Sequence, residues 1–162
     1  MDRVDVIAEV SEKAFNAENE RGRQIGEKAQ KYIAAVAILV GFKIFNSAPL
    51  ALTGGPREAV SAWLTLVAFL VFGLSLAFIL LSLRVRNYHT YARGSVLFEE
   101  LKGIDVTYEI AKIKVARMYL EAQEINATIN NQRARMLSIG GFLLLTGFGL
   151  AVLSELTLRL RT

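Results

Sequence analysis

Apolar and polar residues fall into long blocks along this chain instead of alternating at the period of a strand. Charged positions crowd into 1–31, 84–135 and the last few residues, and three stretches between them are nearly free of charge. From Ala59 to Leu83 no charged residue occurs. That run exceeds the roughly 20 apolar residues needed to cross a hydrocarbon core. A second uncharged run extends from Met136 to Ser154 and ends at Glu155. A third, from Tyr32 to about Leu52, is interrupted in its outer half by Lys43, Asn46, Ser47 and Pro49. Backbone in lipid must satisfy its own hydrogen bonds, so each run is expected as a helix. The pattern predicts an all-α membrane protein with three transmembrane helices, at 32–52, 59–83 and 136–156.

The polar blocks also read as helices. Between the second and third spans, apolar or small residues recur as Leu97, Leu101, Ile104, Tyr108, Ala111, Val115, Met118, Ala122, Ile125, Ile129, Gln132, Met136 and Ile139. The spacing alternates four and three, the heptad seam of helices packed side by side. A second stripe (Val106, Ile110, Ile113, Leu120) widens the apolar face, while Lys102, Glu109, Lys112, Lys114, Glu121 and Glu124 mark the wet side. Gly94-Ser95 and Gly103-Ile104-Asp105 are the places where this block can turn, and a reversal near 103–105 is favoured. Residues 84–135 are therefore expected as a long cytoplasmic helical hairpin whose returning arm enters the third span. Residues 1–31 are expected as an amphipathic helix with Val4, Ile7, Val10, Ala14 and Ala17 on one face. At about 1.5 Å per residue these two extensions would reach about 50 and about 45 Å, forming a cytoplasmic stalk or bundle.

Composition sharpens this. The chain of 162 residues is 53% hydrophobic yet 21% charged, with mean hydropathy +0.37. One domain of that length lacks the interior to hide so large an apolar excess from water. The absence of cysteine and the single histidine exclude a disulfide framework, a thiolate metal site and a multi-histidine site. MDRVDVIAEVSEKAF has no apolar signal region, so a cleaved secretory leader is not expected there. Net charge +4 is less informative than its distribution. With the amino terminus inside, 15 of the 19 basic residues lie on the cytoplasmic side. Lys28, Lys31, Arg84, Arg86, Arg133 and Arg135 then stand at that interface, where basic residues set orientation. The carboxyl terminus, a short tail at 157–162, is expected outside. The location expected is a bacterial cytoplasmic membrane.

Candidate chemistry is sparse. Lys43 within the first span has two readings: snorkelling to the outer interface, or pairing with Glu155 or a polar lining inside an oligomer. Depths counted from the span ends differ by about 9 Å at 1.5 Å per residue, which makes that pair loose. Each span carries a small-xxx-small pair: Ala37/Gly41, Gly73/Ala77 and Gly147/Ala151, with Gly141 nearby. Such pairs are contact surfaces between membrane helices, within one subunit or between subunits. Gly22 and Gly26 read either as a close-packing face or as a hinge before the membrane. Arg84-Val-Arg-Asn-Tyr-His89 has the spacing of the arginine-x4-histidine element of HEPN ribonucleases. One or two turns from the bilayer, however, its arginines read as headgroup contacts and His89 as a helix-surface residue. No glycine-rich phosphate loop, paired acid–base carboxylates or metal spacing occurs. Neither catalysis nor a cofactor is expected, and no nucleic-acid partner.

Taken together, a charged helix entering the membrane through RGRQIGEKAQKYIAAVAILVG (21–41), a close second span, and an amphipathic helix re-entering through NATINNQRARMLSIGGFLLL (126–145) resemble a group of small bacterial membrane effectors. These are the SLATT and Pycsar transmembrane effectors of nucleotide-second-messenger defence systems. The chain differs from the two-span SLATT layout in its third span, and it has no recognisable nucleotide-binding domain. The resemblance implies a homo-oligomeric effector that disrupts membrane integrity, triggered through a cytoplasmic sensor protein or a nucleotide signal. The alternative is a non-catalytic anchor or scaffold for a soluble partner.

Overall fold

The computed structural model describes residues 3–46, 55–84 and 107–159. All regular structure among them is helical: α1 (Arg3–Asn46), α2 (Pro56–Leu83) and α3 (Tyr108–Arg159). Residues 47–52 of the expected first span lie outside the described residues, as do Arg86, His89, both candidate reversals at 94–95 and 103–105, and the tail from 160 onward. Two helices, α2 and α3, are long and apolar enough to cross a membrane.

The chain divides into two compact units, one of Met1–Ile25 and Val85–Gln132, the other of Gly26–Arg84 and Arg133–Thr162. Helices α1 and α3 each contribute to both units without a break in the helix. Gly22 is buried and Gly26 half-buried, both within α1.

In the first unit α1 and α3 run parallel. Asp5 pairs with Lys112, the Phe15 and Tyr119 rings meet at a tilt of 47° with centroids 5.4 Å apart, and Asn19 meets Asn126. The Asp5 carboxylate, followed by the Tyr108 hydroxyl, holds the Lys112 amine above its ordinary pKa. The buried faces overlap the expected ones only in part, sharing Ala122. On α1 the buried positions are Ser11, Phe15, Gly22 and Ile25, while Ile7 and Val10 are exposed. On α3 they are Ala116, Ala122, Asn126 and Asn130, while Tyr108, Ile125 and Gln132 are exposed. Both the expected and the observed stripes follow a seven-residue rhythm. The observed one carries small or amide side chains that let backbones approach and bond across the interface. Asn130 Nδ2 donates to the Glu18 carbonyl and to Glu18 Oε1, each at 2.8 Å, and Arg21 Nη2 donates to Asn131 Oδ1 at 2.8 Å. Apolarity alone points to the neighbouring stripe.

In the second unit α3 is flanked by α1, again parallel, and by α2, antiparallel. Helix α2 begins at Pro56, three residues before the expected span. Proline at the first helical turn lacks only an N–H that would have no partner, and the Gly55 carbonyl accepts from the amides of Glu58 and Ala59. The buried residues of α2 are Ser61, Thr65, Ala68, Phe72, Ser75, Ile79 and Ser82, again in four–three alternation. Its outward face carries Trp63 at 67% exposure, Leu70 at 62% and Leu74 at 55%. The hydroxyls point in beside Phe72 and Ile79, while Trp63, Leu70 and Leu74 point out.

Glycines on α3 allow this contact. A Cβ at Gly140 would lie 2.7 Å from Ile79 Cγ1 and 3.2 Å from the Ser75 carbonyl oxygen; one at Gly147 would lie 2.8 Å from the Phe72 ring. Ile79 and Phe72 are themselves buried, and at Gly140 the Ser75 carbonyl crowds the same position. A Cβ at Gly73, by contrast, meets nothing within 4 Å. Gly140→Ala should therefore cost about 1–3 kcal/mol of stability through overpacking. Gly73→Ala should be neutral or gain up to about 1 kcal/mol from helix propensity. Thermal unfolding in a mild detergent reads both; equal effects would contradict the close approach at Gly140.

Candidate functional site

The densest polar cluster of the second unit lies where the last turns of α1 and α3 meet the first turns of α2. Lys43 stands in the last turn of α1, where a cation complements the carbonyl end of the helix. Ser154 and Glu155 are just over a turn from the end of α3. Antiparallel α2 brings Ser61 and Thr65, one turn apart on its buried face, to the same level.

Lys43 Nζ lies 2.8 Å from Glu155 Oε1 and donates to Ser154 Oγ at 3.3 Å. Ser154 Oγ lies 2.7 Å from Thr65 Oγ1 and 2.9 Å from Ser61 Oγ. It is also placed to donate to the Ser61 carbonyl at 3.1 Å, and Ser61 Oγ to donate to the Ser154 carbonyl at 3.1 Å. Because Lys43 supplies a proton to Ser154 Oγ, the serine keeps its own for α2. One hydroxyl thereby ties all three helices. Lys43 is 5% exposed and Ser154 fully buried, whereas the Glu155 side chain retains 32% exposure.

The two readings of Lys43 separate here: the amine is paired inside the unit. The depth estimate that made the pair loose is corrected, because it compared span ends. The parallel packing of α1 and α3 instead sets Tyr32 against Gly141 and Lys43 against Glu155. A serine beside a lysine is also a nucleophile–base pairing. Here the amine is placed as a donor to Ser154 and Glu155, and the serine is sealed from substrate, so the geometry fits cohesion better than attack. Among the described residues no group of three His, Cys, Asp or Glu is placed to hold a metal ion.

The basic residues expected at one interface divide. Lys28, Lys31, Arg84 and Arg135 are exposed. Arg133 is half-buried and its Nε donates to the Ser82 carbonyl at 2.7 Å. That carbonyl belongs to the last turn of α2, where helix carbonyls need partners from outside the helix. The small-residue pairs divide too. Gly141 faces the Tyr32 ring and Gly147 faces Phe72, with Ala151 half-buried. Ala37, Gly73 and Ala77 are exposed, and neither Gly41 nor Gly73 has an atom within 4 Å of a built Cβ. Among the described residues, the pairs on α1 and α2 thus lie outside the close helix contacts.

Sequence reasoning missed Ser61, Thr65, Ser75 and Ser154. Ser75 Oγ donates to the Gly140 carbonyl at 2.7 Å, at the close contact of α2 and α3. A signal was available, since Ser61, Ser75 and Ser82 are separated by multiples of seven in an otherwise apolar helix. Comparison with protein-family models, with curated proteins and with solved structures finds no match to the chain. The functional argument therefore rests on geometry.

Removing Glu155 takes the counter-charge from the buried Lys43 ammonium, a loss on the order of 3 kcal/mol. Glu155→Gln should lower the unfolding midpoint strongly. The double replacement Lys43→Met with Glu155→Leu should restore most of it, because neither charge is then stranded. A double variant as unstable as Glu155→Gln would show that the charges themselves are required for stability.

Proposed function

We propose that this protein is an oligomeric effector of a bacterial cytoplasmic membrane, acting in antiviral defence by permeabilising or depolarising the bilayer when its cytoplasmic helices receive a signal. The single observation that carries the membrane part is the inside-out character of α2, with serine and threonine buried and Trp63, Leu70 and Leu74 outward. In water that arrangement exposes the face that should be hidden. In hydrocarbon it satisfies the hydroxyls and gives lipid the apolar surface. In this reading the residues of α1 from Tyr32 onward form a first span beside the apolar part of α3. The amino terminus is cytoplasmic, and the first unit forms a stalk in water.

The effector part draws on three supports. Ala37, Gly73 and Ala77 are exposed, and among the described residues nothing stands within 4 Å of a Cβ at Gly41 or Gly73, so these faces suit contacts between subunits. Helices α1 and α3 pass unbroken from residues of the first unit to residues of the second, so a signal need not cross a flexible joint. The resemblance to nucleotide-triggered membrane effectors supplies the biological setting. The anchor reading keeps a place because the first unit exposes Ile7, Val10, Ile113 and Leu120, which a soluble partner would cover.

Three measurements test this. The chain lacks cysteine, so single cysteines at Arg3 and Thr157 report sidedness: a membrane-impermeant thiol reagent should label Thr157→Cys from outside and Arg3→Cys only after lysis. The same labelling for both would refute the topology. Expression alone and with the neighbouring genes, while following entry of an impermeant dye, tests the effector reading. No change in permeability under any trigger would sink it, and a monomer copurifying with a soluble protein would favour the anchor. Insertion of three glycines after Asn131 should abolish the dye response while leaving the protein in the membrane. An unchanged response would remove the rigid-link mechanism.

A further inference from the structure

A groove of about 230 Å³ opens between α1 and α3 in the second unit, floored by Phe72 and Ala151 and walled by Phe42 and Phe148. It is several times the roughly 30 Å³ that one water occupies in the liquid, and its walls are almost wholly apolar. A dry gap of that size forfeits dispersion contacts on both helices unless something apolar fills it. Phe42 and Phe148 in its walls are 66% and 47% exposed.

One end of the groove is charged. Lys43, Glu155 and Arg159 line it there. Lys43 and Glu155 neutralise each other at 2.8 Å. Arg159 stands four residues beyond Glu155 on the same face of α3, exposed, and among the described residues no carboxylate pairs with it. The groove thus has a long apolar body and a cationic end with one positive charge in excess, which is the complement of an anionic amphiphile.

We propose that this groove is a binding site for one anionic phospholipid of the outer leaflet, an acyl chain lying between Phe42 and Phe148 and the phosphate meeting Arg159. The inference rests on the membrane reading above. It adds a specific lipid as a fourth packing element beside the three helices, clamped where the Lys43–Glu155 pair closes the unit. A lipid held there links the composition of the outer leaflet to the stability of the α1–α3 contact.

The test is native mass spectrometry of the full chain in mild detergent. Phosphatidylglycerol or phosphatidylethanolamine with the same acyl chains is added in turn. One retained lipid per chain is expected, with phosphatidylglycerol favoured about fivefold, the worth of one basic residue at an anionic surface. Arg159→Gln should bring the two lipids to parity without loss of helicity. Ala151→Trp should fill the groove and abolish retention of either, and Val152→Trp serves the same purpose if the first variant fails to fold. Retention unchanged by both fillers, or a preference unchanged by Arg159→Gln, overturns the proposal. So does a disulfide formed between two copies carrying Phe148→Cys, which would make the occupant a second subunit. Detergent phase separation of the same samples distinguishes the levels. A chain left in the aqueous phase refutes the membrane reading itself, and one that partitions with detergent but retains no lipid refutes the lipid site alone.

Discussion

Helices surrounded by hydrocarbon gain nothing by exchanging lipid contacts for side-chain contacts of equal apolarity, so their association must come from close approach and hydrogen bonds. The contact between α2 and α3 meets this constraint at three levels. At the first, Arg133 closes the carbonyl end of α2. At the second, Gly140 lets Ile79 into van der Waals range and offers its carbonyl to Ser75. At the third, Ser154 gathers Ser61 and Thr65. Between the last two, Gly147 admits the Phe72 ring. A large apolar residue at Gly140, Gly147 or Ser154 would keep the backbones apart and leave the α2 hydroxyls without partners. Apart from Phe72 and Ile79, which the glycines admit, the large apolar residues of α2 stand on its outer face or its flanks.

The first unit solves a different problem by related means. Its two helices run parallel with amides, not leucines, at the centre of the contact: Asn126 to Asn19 and Asn130 to Glu18. Asparagine at a seam position lowers stability relative to an apolar residue but fixes register, because a shifted partner leaves the amide unsatisfied. Register is what a long parallel pair most needs, since a 44-residue α1 beside a 52-residue α3 offers many apolar alignments. The apolar residues displaced from the seam, among them Ile7, Val10 and Ile113, are consequently left on the surface.

This explains how unevenly the structure could be read from the sequence. Helical class and the positions of α2 and the apolar part of α3 follow from uncharged length, a property of composition that no packing detail overrides. The seams did not follow, because the reading ranked positions by apolarity. Ile125 and Ile129 scored above Asn126 and Asn130, and the buried stripe lay one residue away. The same bias hid Ser61, Thr65 and Ser154, which look like minor interruptions of an apolar run. Lys43 and Glu155 drew attention as charges, yet their distance depended on the relative alignment of α1 and α3, which counting from each span's own end does not supply. Spacing by sevens among the serines of apolar α2 would have found the seam of the second unit.

The placement of the ion pair follows from the same physics. Lys43 and Glu155 add Coulombic attraction but lose hydration, and in a dry interior the loss outweighs the gain unless other hydrogen bonds help. Here Ser154 provides a second acceptor for the ammonium, and Glu155 keeps partial contact with its surroundings. In the membrane reading proposed above, the pair also lies near the ends of α1 and α3, where water is closest and the cost of a charge is lowest. Set a few turns deeper, beside Gly147, the same two charges would meet Phe72 and no hydroxyl. An ion pair that is affordable only at this level therefore marks the end of the apolar interior, and it fixes α1 against α3 at the one depth where both charges can be satisfied.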